Sequence, residues 1–385
     1  MIAASQSLQM AARCREMKAA GIDVIGMSLG EPDFDTPEAI RRAAQEAIDA
    51  HWSHYGPVPG IPSLRAAAAE QQNRVNGNAI EWKAEDVIVS VGAKMAIFDA
   101  IQSVINPGDE VVIPMPAWVS YTEMVKLAEG VVVPVKTSYE QQYCLTPDQL
   151  QAALNERTRM LILCSPNNPT GSVYSPEQLA ELVRVLADFP EVTILADEVY
   201  NSLTYGSPAC TLAAFPELAD RLIVTNAVSK AYAMTGYRVG WLLSKNRAFI
   251  AGCTRLQGQQ LTCATMVAQK AAEAALTGPQ DCVEEMRRVF ESRRELICRL
   301  ASEVPGFRFT APQGAFYLFP EVSEIGSGDE VAEYLLEHAH VATVSGSAFG
   351  CPECIRLSYA ISTEEITEAM KRIKEAITKK MNQQI

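Results

Sequence analysis

RMLILCSPNNPTGSVYSPEQLAELVRVLADFPEVTILADEVY, residues 159–200, reads as strand, turn, helix and strand in succession. It opens on one short apolar run, RMLILC, and closes on another, VTILAD. Continuous runs of this length, without polar alternation, suit strands buried on both faces of a parallel sheet. Parallel neighbours need a crossover between them. The crossover here is SPEQLAELVRVLAD, with Pro176 at the first helical position after Ser175.

The same alternation extends outward. Further strand runs are DVIVSVG (86–92), DEVVIPMP (109–116), VVVPV (131–135) and DRLIVTNAVS (220–229). Residues 93–105 have a helical pattern that stops at Asn106-Pro107-Gly108. The whole predicts an α/β domain whose helices cover a mostly parallel sheet. Past residue 280 the texture changes to a long charged helix, a helix near 329–340, a strand pair at VATVS and CIRLSYA, and a final helix at 363–380. We expect a large domain over 36–280 and a smaller α+β domain from 1–35 and 281–385. Its N-terminal helix and GEPDFDTP loop would dock on the C-terminal part.

Composition excludes other classes. The 385 residues have 48% hydrophobic and 21% charged side chains, an ordinary globular balance. A formal net charge of −13 repels phosphate backbones, so no nucleic-acid partner is expected. No stretch approaches the length of an apolar span, so no membrane segment is expected. MIAASQSLQM lacks a basic and apolar leader pattern. Ten scattered cysteines read as reduced, mostly buried thiols of a cytoplasmic protein. One pair, Cys351 and Cys354, has CxxC spacing, but a zinc site would want a second such pair, and no metal is expected. His51 and His54 read as loop residues.

Four segments at the carboxyl ends of the runs carry chemistry, which is where open α/β sheets bind ligands. SPNNPTG (165–171) presents Asn167 and Asn168, and by itself reads equally as an Asx-turn. ADEVY (196–200) puts Asp197 on a buried strand end, a costly place for a carboxylate without a cationic partner, with Tyr200 three residues on. In NAVSKAYAMTGYRVGW (226–241), Lys230 would lose solvation in a dry cleft, and its lowered pKa makes it an amine nucleophile. Arg238 follows among glycines, suited to a phosphate. SVGAKMA (90–96) offers free N–H groups at a helix start, although GxGxxG and GxxxxGK[ST] are both absent. A phosphate nest, a cationic clamp, an amine and a buried acid are together what pyridoxal phosphate requires.

The chain thus resembles the fold-type I pyridoxal-phosphate enzymes of the class I/II aminotransferase family. Among these it is most similar to the prokaryotic-type aspartate and aspartate/prephenate aminotransferases. The resemblance rests on SLGEPDFDTP, YGPVPGIPSLR, VGAK, NPGDEVVIPMPAWVSY, SPNNPTG, DEVY, SKAYAMTGYRVG, PQGAFYLF and CIRLSYA, spread over nearly the whole chain. It implies a Schiff base on Lys230 and a carboxylate, Asp197, paired with the pyridine nitrogen. Tyr200 and Asn168 would bond the 3′ oxygen, and Trp118 would stack on the ring. Gly92, Ala93, Lys94 and Arg238 would surround the phosphate, with Tyr55 reaching the site of a second subunit in a homodimer. Arg356 would fork onto the substrate α-carboxylate, aided by Gly30 and Asn168. Ala227 and Ala93 depart from the common Ser and Gly, which shifts the phosphate grip toward Arg238, Lys94 and the backbone.

The implied reaction is ping-pong transfer of an amino group between an L-amino acid and a 2-oxo acid. No arginine for a distal carboxylate is apparent. Lys94 and Ser7 would take that part, pointing to aspartate with 2-oxoglutarate, and to prephenate as an added acceptor. The alternatives on the same scaffold are an aromatic or alanine aminotransferase and a C–S β-lyase.

Overall fold

The computed structural model describes residues 6–206 and 208–383, with side chains from residue 9 onward. Its centre is a seven-stranded sheet of β1 (Val87–Ser90), β2 (Glu110–Met115), β3 (Val131–Lys136), β4 (Thr158–Cys164), β5 (Thr193–Asp197), β6 (Leu222–Ala227) and β7 (Gly240–Ser244). The spatial order is β1-β7-β6-β5-β4-β2-β3. Neighbours from β6 through β3 pair in parallel, while β7 runs antiparallel to both β6 and β1. All six predicted runs are strands, and the predicted helices appear as Gly92–Val104 and Pro176–Leu186. In the latter, the Ser175 hydroxyl accepts from Gln178 N–H, closing a capping box.

Two readings of the sheet need correction. VVVPV is not buried on both faces: β3 lies at the sheet edge, and each of its residues is exposed or half-buried. An edge strand has one neighbour, so its apolar run is only half covered. GWLLS, seen only as the tail of a functional segment, is the antiparallel strand β7, buried throughout. Its burial follows from its central place between β1 and β6.

Helices cover both sheet faces. One core joins Leu64, Ala68 and Leu182 to Val89, Val112 and Val224, and a second joins Ile97, Ile101 and Tyr121 to Val111, Ile162 and Leu195. Each fully buried Leu, Ile or Val adds about 1.5–3 kcal/mol of hydrophobic stabilisation. A third core is built from the C-terminal part. Helices Asp281–Ala301, Gly328–His338 and Thr363–Asn382 enclose Phe290, Leu335 and Ile373 over a three-stranded sheet. Residues from the N-terminal segment reach the same region. Ile25 and Gly26 pair in parallel with Val341 and Ala342, and Met27 is fully buried.

Candidate active site

Parallel strands bring their carboxyl ends to one edge, and the loops beyond those ends wall a cavity of about 350 Å³. Its lining includes Gly30, Ala93, Lys94, Trp118, Asn168, Asp197, Tyr200, Lys230, Arg238 and Arg356. The register explains the convergence. Cys164 lies opposite Asp197, Asp197 opposite Thr225, and Ala227 opposite Gly240. Arg238 joins because β7 is antiparallel, so the residues just before its start meet the ends of the other strands.

Lys230 lies in the short helix Val228–Ala231 directly after β6. Its amine donates to the Gly30 carbonyl at 2.6 Å. Burial is the largest influence and lowers the amine to about 8. Glu31 opposes that shift, and Arg238 and Arg356 reinforce it. Asp197 is 4% exposed. One carboxylate oxygen accepts from the Tyr121 hydroxyl at 2.5 Å and the other from Val199 N–H at 3.2 Å. Burial raises its pKa, against the lowering effect of those donors. A cation facing it would reverse that balance.

The opposite end suits an anion. Helix Gly92–Val104 begins with no side-chain cap on its free N–H groups. Gly92 has φ +78°, and a Cβ there would come within 2.5 Å of Arg238 Nη2. Arg238 itself adopts φ +56° and donates to the Thr235 carbonyl at 2.8 Å. Gly240 is also required, because a side chain there would press on the Ala93 amide nitrogen. Lys94 Nζ stands 4.9 Å from the Trp118 ring centre, and burial, then Arg238, lowers its pKa. Ala227 brings no hydroxyl, but buried Ser229 lines the same cavity.

Arg356 comes from strand Ile355–Ser358. Its guanidinium donates to Asn168 Oδ1 at 2.9 Å and to the Ser28 carbonyl at 2.6 Å. The rings of Tyr317 and Phe349 flank it at 4.5 and 4.9 Å. Its Nε is buried without a hydrogen-bond partner. A buried guanidinium held only by neutral acceptors is a receptor for a carboxylate.

Some expectations moved. Asn167 turns to the Pro116 carbonyl and the Thr170 hydroxyl, so it locks the turn while Asn168 lines the cavity. Glu198 is satisfied elsewhere by Thr211 and Gln72. Gly30 offers its carbonyl to Lys230, and Ser28 supplies the carbonyl on Arg356. Tyr55 is 90% exposed and is not part of this chain's own cavity lining. Ser7 falls in helix Gln6–Ala19, but its side chain lies outside the described residues.

Tyr121, Tyr317, Ser229 and Glu31 were missed. Tyr121 and Tyr317 stand within AWVSY and GAFYLF, where their aromatic character reads as core packing. Tyr317 bonds the Tyr200 hydroxyl at 2.8 Å. Among the described residues no cluster of three or more His, Cys, Asp or Glu is placed to hold a metal, and no helix is long and apolar enough to cross a membrane.

Comparison with known proteins identifies the family and the fold. The model of the family "Aminotransferase class I and II" matches residues 22–373. An aspartate aminotransferase from Bacillus sp. (strain YM-2) is 44% identical over 377 residues, covering 96% of this chain and 95% of the relative. An aspartate/prephenate aminotransferase from Cereibacter sphaeroides is 41% identical, covering 96% and 95%. The crystal structure of the Rhizobium meliloti aspartate aminotransferase superposes with a TM-score of 0.94 at 37% identity, covering 98% of this chain and 97% of that one. The Thermus thermophilus aspartate aminotransferase with maleate gives 0.93 at 36%, covering 97% of each. With a family match across most of its length and a fold shared with solved members, this chain belongs to the class I and II aminotransferases.

Proposed function

We propose that the protein transfers an amino group between L-aspartate and 2-oxoglutarate, with prephenate as a further acceptor, using pyridoxal phosphate. The carrying observation is the cavity's charge layout. A buried amine, Lys230, shares one cavity with an anion receptor at Arg356 and a second cation, Lys94, beside Trp118. Two cations flanking one cavity suit a substrate with two carboxylates. The maleate in the Thermus thermophilus relative is such a dicarboxylate.

The residues present fit the cofactor. Gly92, Ala93, Lys94, Ser229 and Arg238 would hold its phosphate, in a cradle that a Cβ at position 92 would fill. Asp197 would face the ring nitrogen, Trp118 would cover the ring, and Tyr200 and Asn168 would meet the 3′ oxygen. When bound, pyridoxal phosphate supplies an aldehyde that condenses with amines and a ring that accepts electrons. The chain's own residues then divide the work. Asp197, buried and anionic, would keep a proton on a ring nitrogen placed against it. Arg356 would hold the substrate α-carboxylate in the cavity that Lys230 also lines. Lys230 Nζ, with its lowered pKa, takes the α-proton and returns it on the far side of the exchange. Tyr121 holds Asp197 in place, and Tyr317 holds Tyr200.

The exposed Tyr55 supports a homodimer in which each copy completes the other's phosphate site. The core around Phe290, Leu335 and Ile373, which takes in Ile25 and Met27 and also Tyr200, Leu203 and Tyr205 at its border, supports a small domain over 1–35 with 281–385 beside a large one over 36–280. Ten unpaired cysteines support a reducing, cytoplasmic setting. A panel of amino donors and oxo acids tests the reading, with Lys94→Ala alongside. The variant should lose its preference for aspartate over alanine in kcat/KM; an unchanged ratio overturns the dicarboxylate assignment.

A further inference from the structure

The CxxC pair, Cys351 and Cys354, plays no part in the chemistry above, yet its placement is specific. Cys354 N–H donates to the Cys351 carbonyl at 3.1 Å, closing a β-turn. Such a turn holds its end Cα atoms within about 7 Å, close to the span of a disulfide. The sulfurs already touch, with Sγ–Sγ 3.2 Å and the Cys351 thiol donating. The Tyr143 hydroxyl sits 3.7 Å from Cys354 Sγ. Both thiols are buried, but the tip of the turn, Gly350, Pro352 and Glu353, is exposed.

This turn also carries the substrate receptor. Arg356 follows Cys354 by two residues, and Phe349, whose ring flanks the guanidinium, precedes Cys351 by two. The Phe349 carbonyl accepts from Ala117 N–H at 3.1 Å, next to Trp118. A bond between the two sulfurs would therefore pull on both Arg356 and the Trp118 loop.

We propose that Cys351 and Cys354 form a reversible disulfide that retunes the carboxylate grip of Arg356. The oxidant class is a low-molecular-weight disulfide. The Cys351 sulfur, the less buried of the two and next to exposed Gly350 and Pro352, attacks it, releasing one small thiol and leaving a mixed disulfide. The Cys354 sulfur then attacks Cys351 Sγ, releasing the second. Two protein thiols lose two electrons and two protons, and the small disulfide gains them as two thiols. The sulfurs must close from 3.2 Å to about 2.05 Å. Displacement of a positioned group by about 1 Å costs up to ~100-fold in rate.

The effect on substrate rests on the proposed role of Arg356, but the pairing itself does not. Holoenzyme would be equilibrated with glutathione and glutathione disulfide at graded ratios, acid-quenched and alkylated. Peptide mass across 351–354 and the KM for aspartate would both be read. In the oxidising buffers that peptide should escape alkylation and lose two hydrogens. KM should rise about tenfold, with recovery on adding dithiothreitol, and neither change should occur in Cys351→Ser or Cys354→Ser. A doubly alkylated peptide at the oxidising limit overturns the pairing, whether or not the variants fold. A paired peptide with unchanged KM overturns the link to Arg356. Arg356→Lys with unaltered KM would instead sink the substrate reading, leaving the mass result standing.

Discussion

Cofactor capture by the apoenzyme should follow the ionisation of one buried amine. Only a neutral amine attacks an aldehyde. An ordinary lysine titrates near 10.4 and so holds about 0.04% neutral amine at pH 7. Lys230, lowered to about 8, is neutral to roughly a tenth at that pH, an advantage of about 200-fold. The sign is fixed by the charge type: the lysine is cationic below about 8 and reactive above it. Apoenzyme mixed with excess pyridoxal phosphate in a stopped-flow instrument reports the association rate as imine absorbance. Dividing by the rate for Nα-acetyl-lysine at each pH removes the cofactor's own ionisations. The resulting ratio should be level below about pH 8 and fall about tenfold per pH unit between 8 and 10, because only the reference amine is still gaining neutral form there. Glu31 favours the charged amine and Arg356 opposes it, so Glu31→Gln should move the bend to lower pH and Arg356→Met to higher. A ratio still level at pH 10, or a bend that moves the wrong way in both variants, refutes the claim that desolvation sets this amine.

Tyr121→Phe leaves the Asp197 carboxylate with only the Val199 N–H. Loss of a hydrogen bond to a charged group, about 1.5–3 kcal/mol, should weaken cofactor binding roughly ten- to hundredfold in an absorbance titration; an unchanged Kd would show that the contact is idle. Arg356→Lys retains the charge but loses the fork between Asn168 and Ser28, so KM for the amino acid should rise at least about tenfold while cofactor titration stays as in the parent. Gly92→Ala adds a Cβ at φ +78° against Arg238 and should cost about 1–2 kcal/mol, read as a lower Tm and weaker phosphate binding to the apoenzyme. If phosphate affinity survives that substitution, the cradle is not where we place it.

Much of this was legible because short-range rules place it. The runs at 159–164 and 192–197 predict strands, the helix between them predicts parallel pairing, and parallel pairing sends Asn168, Asp197 and Lys230 to one edge. A residue's place at a strand's carboxyl end is local information. The same logic failed for VVVPV, because apolar content cannot tell a central strand from an edge. It also missed Tyr121, whose hydroxyl matters only once helix Ser120–Leu127 is folded against β5.

By itself, then, the sequence determined the α/β order and where along it Lys230, Asp197 and the glycines around residue 92 fall. These are properties of neighbouring residues along the chain. Tertiary structure decided the rest. Antiparallel β7 brings Arg238 into the cavity beside Gly92, and docking of the two chain ends sets Arg356 against the Ser28 carbonyl across 328 residues. No local pattern encodes such a pairing, because burial of one shared core, not propensity, brings the two segments together.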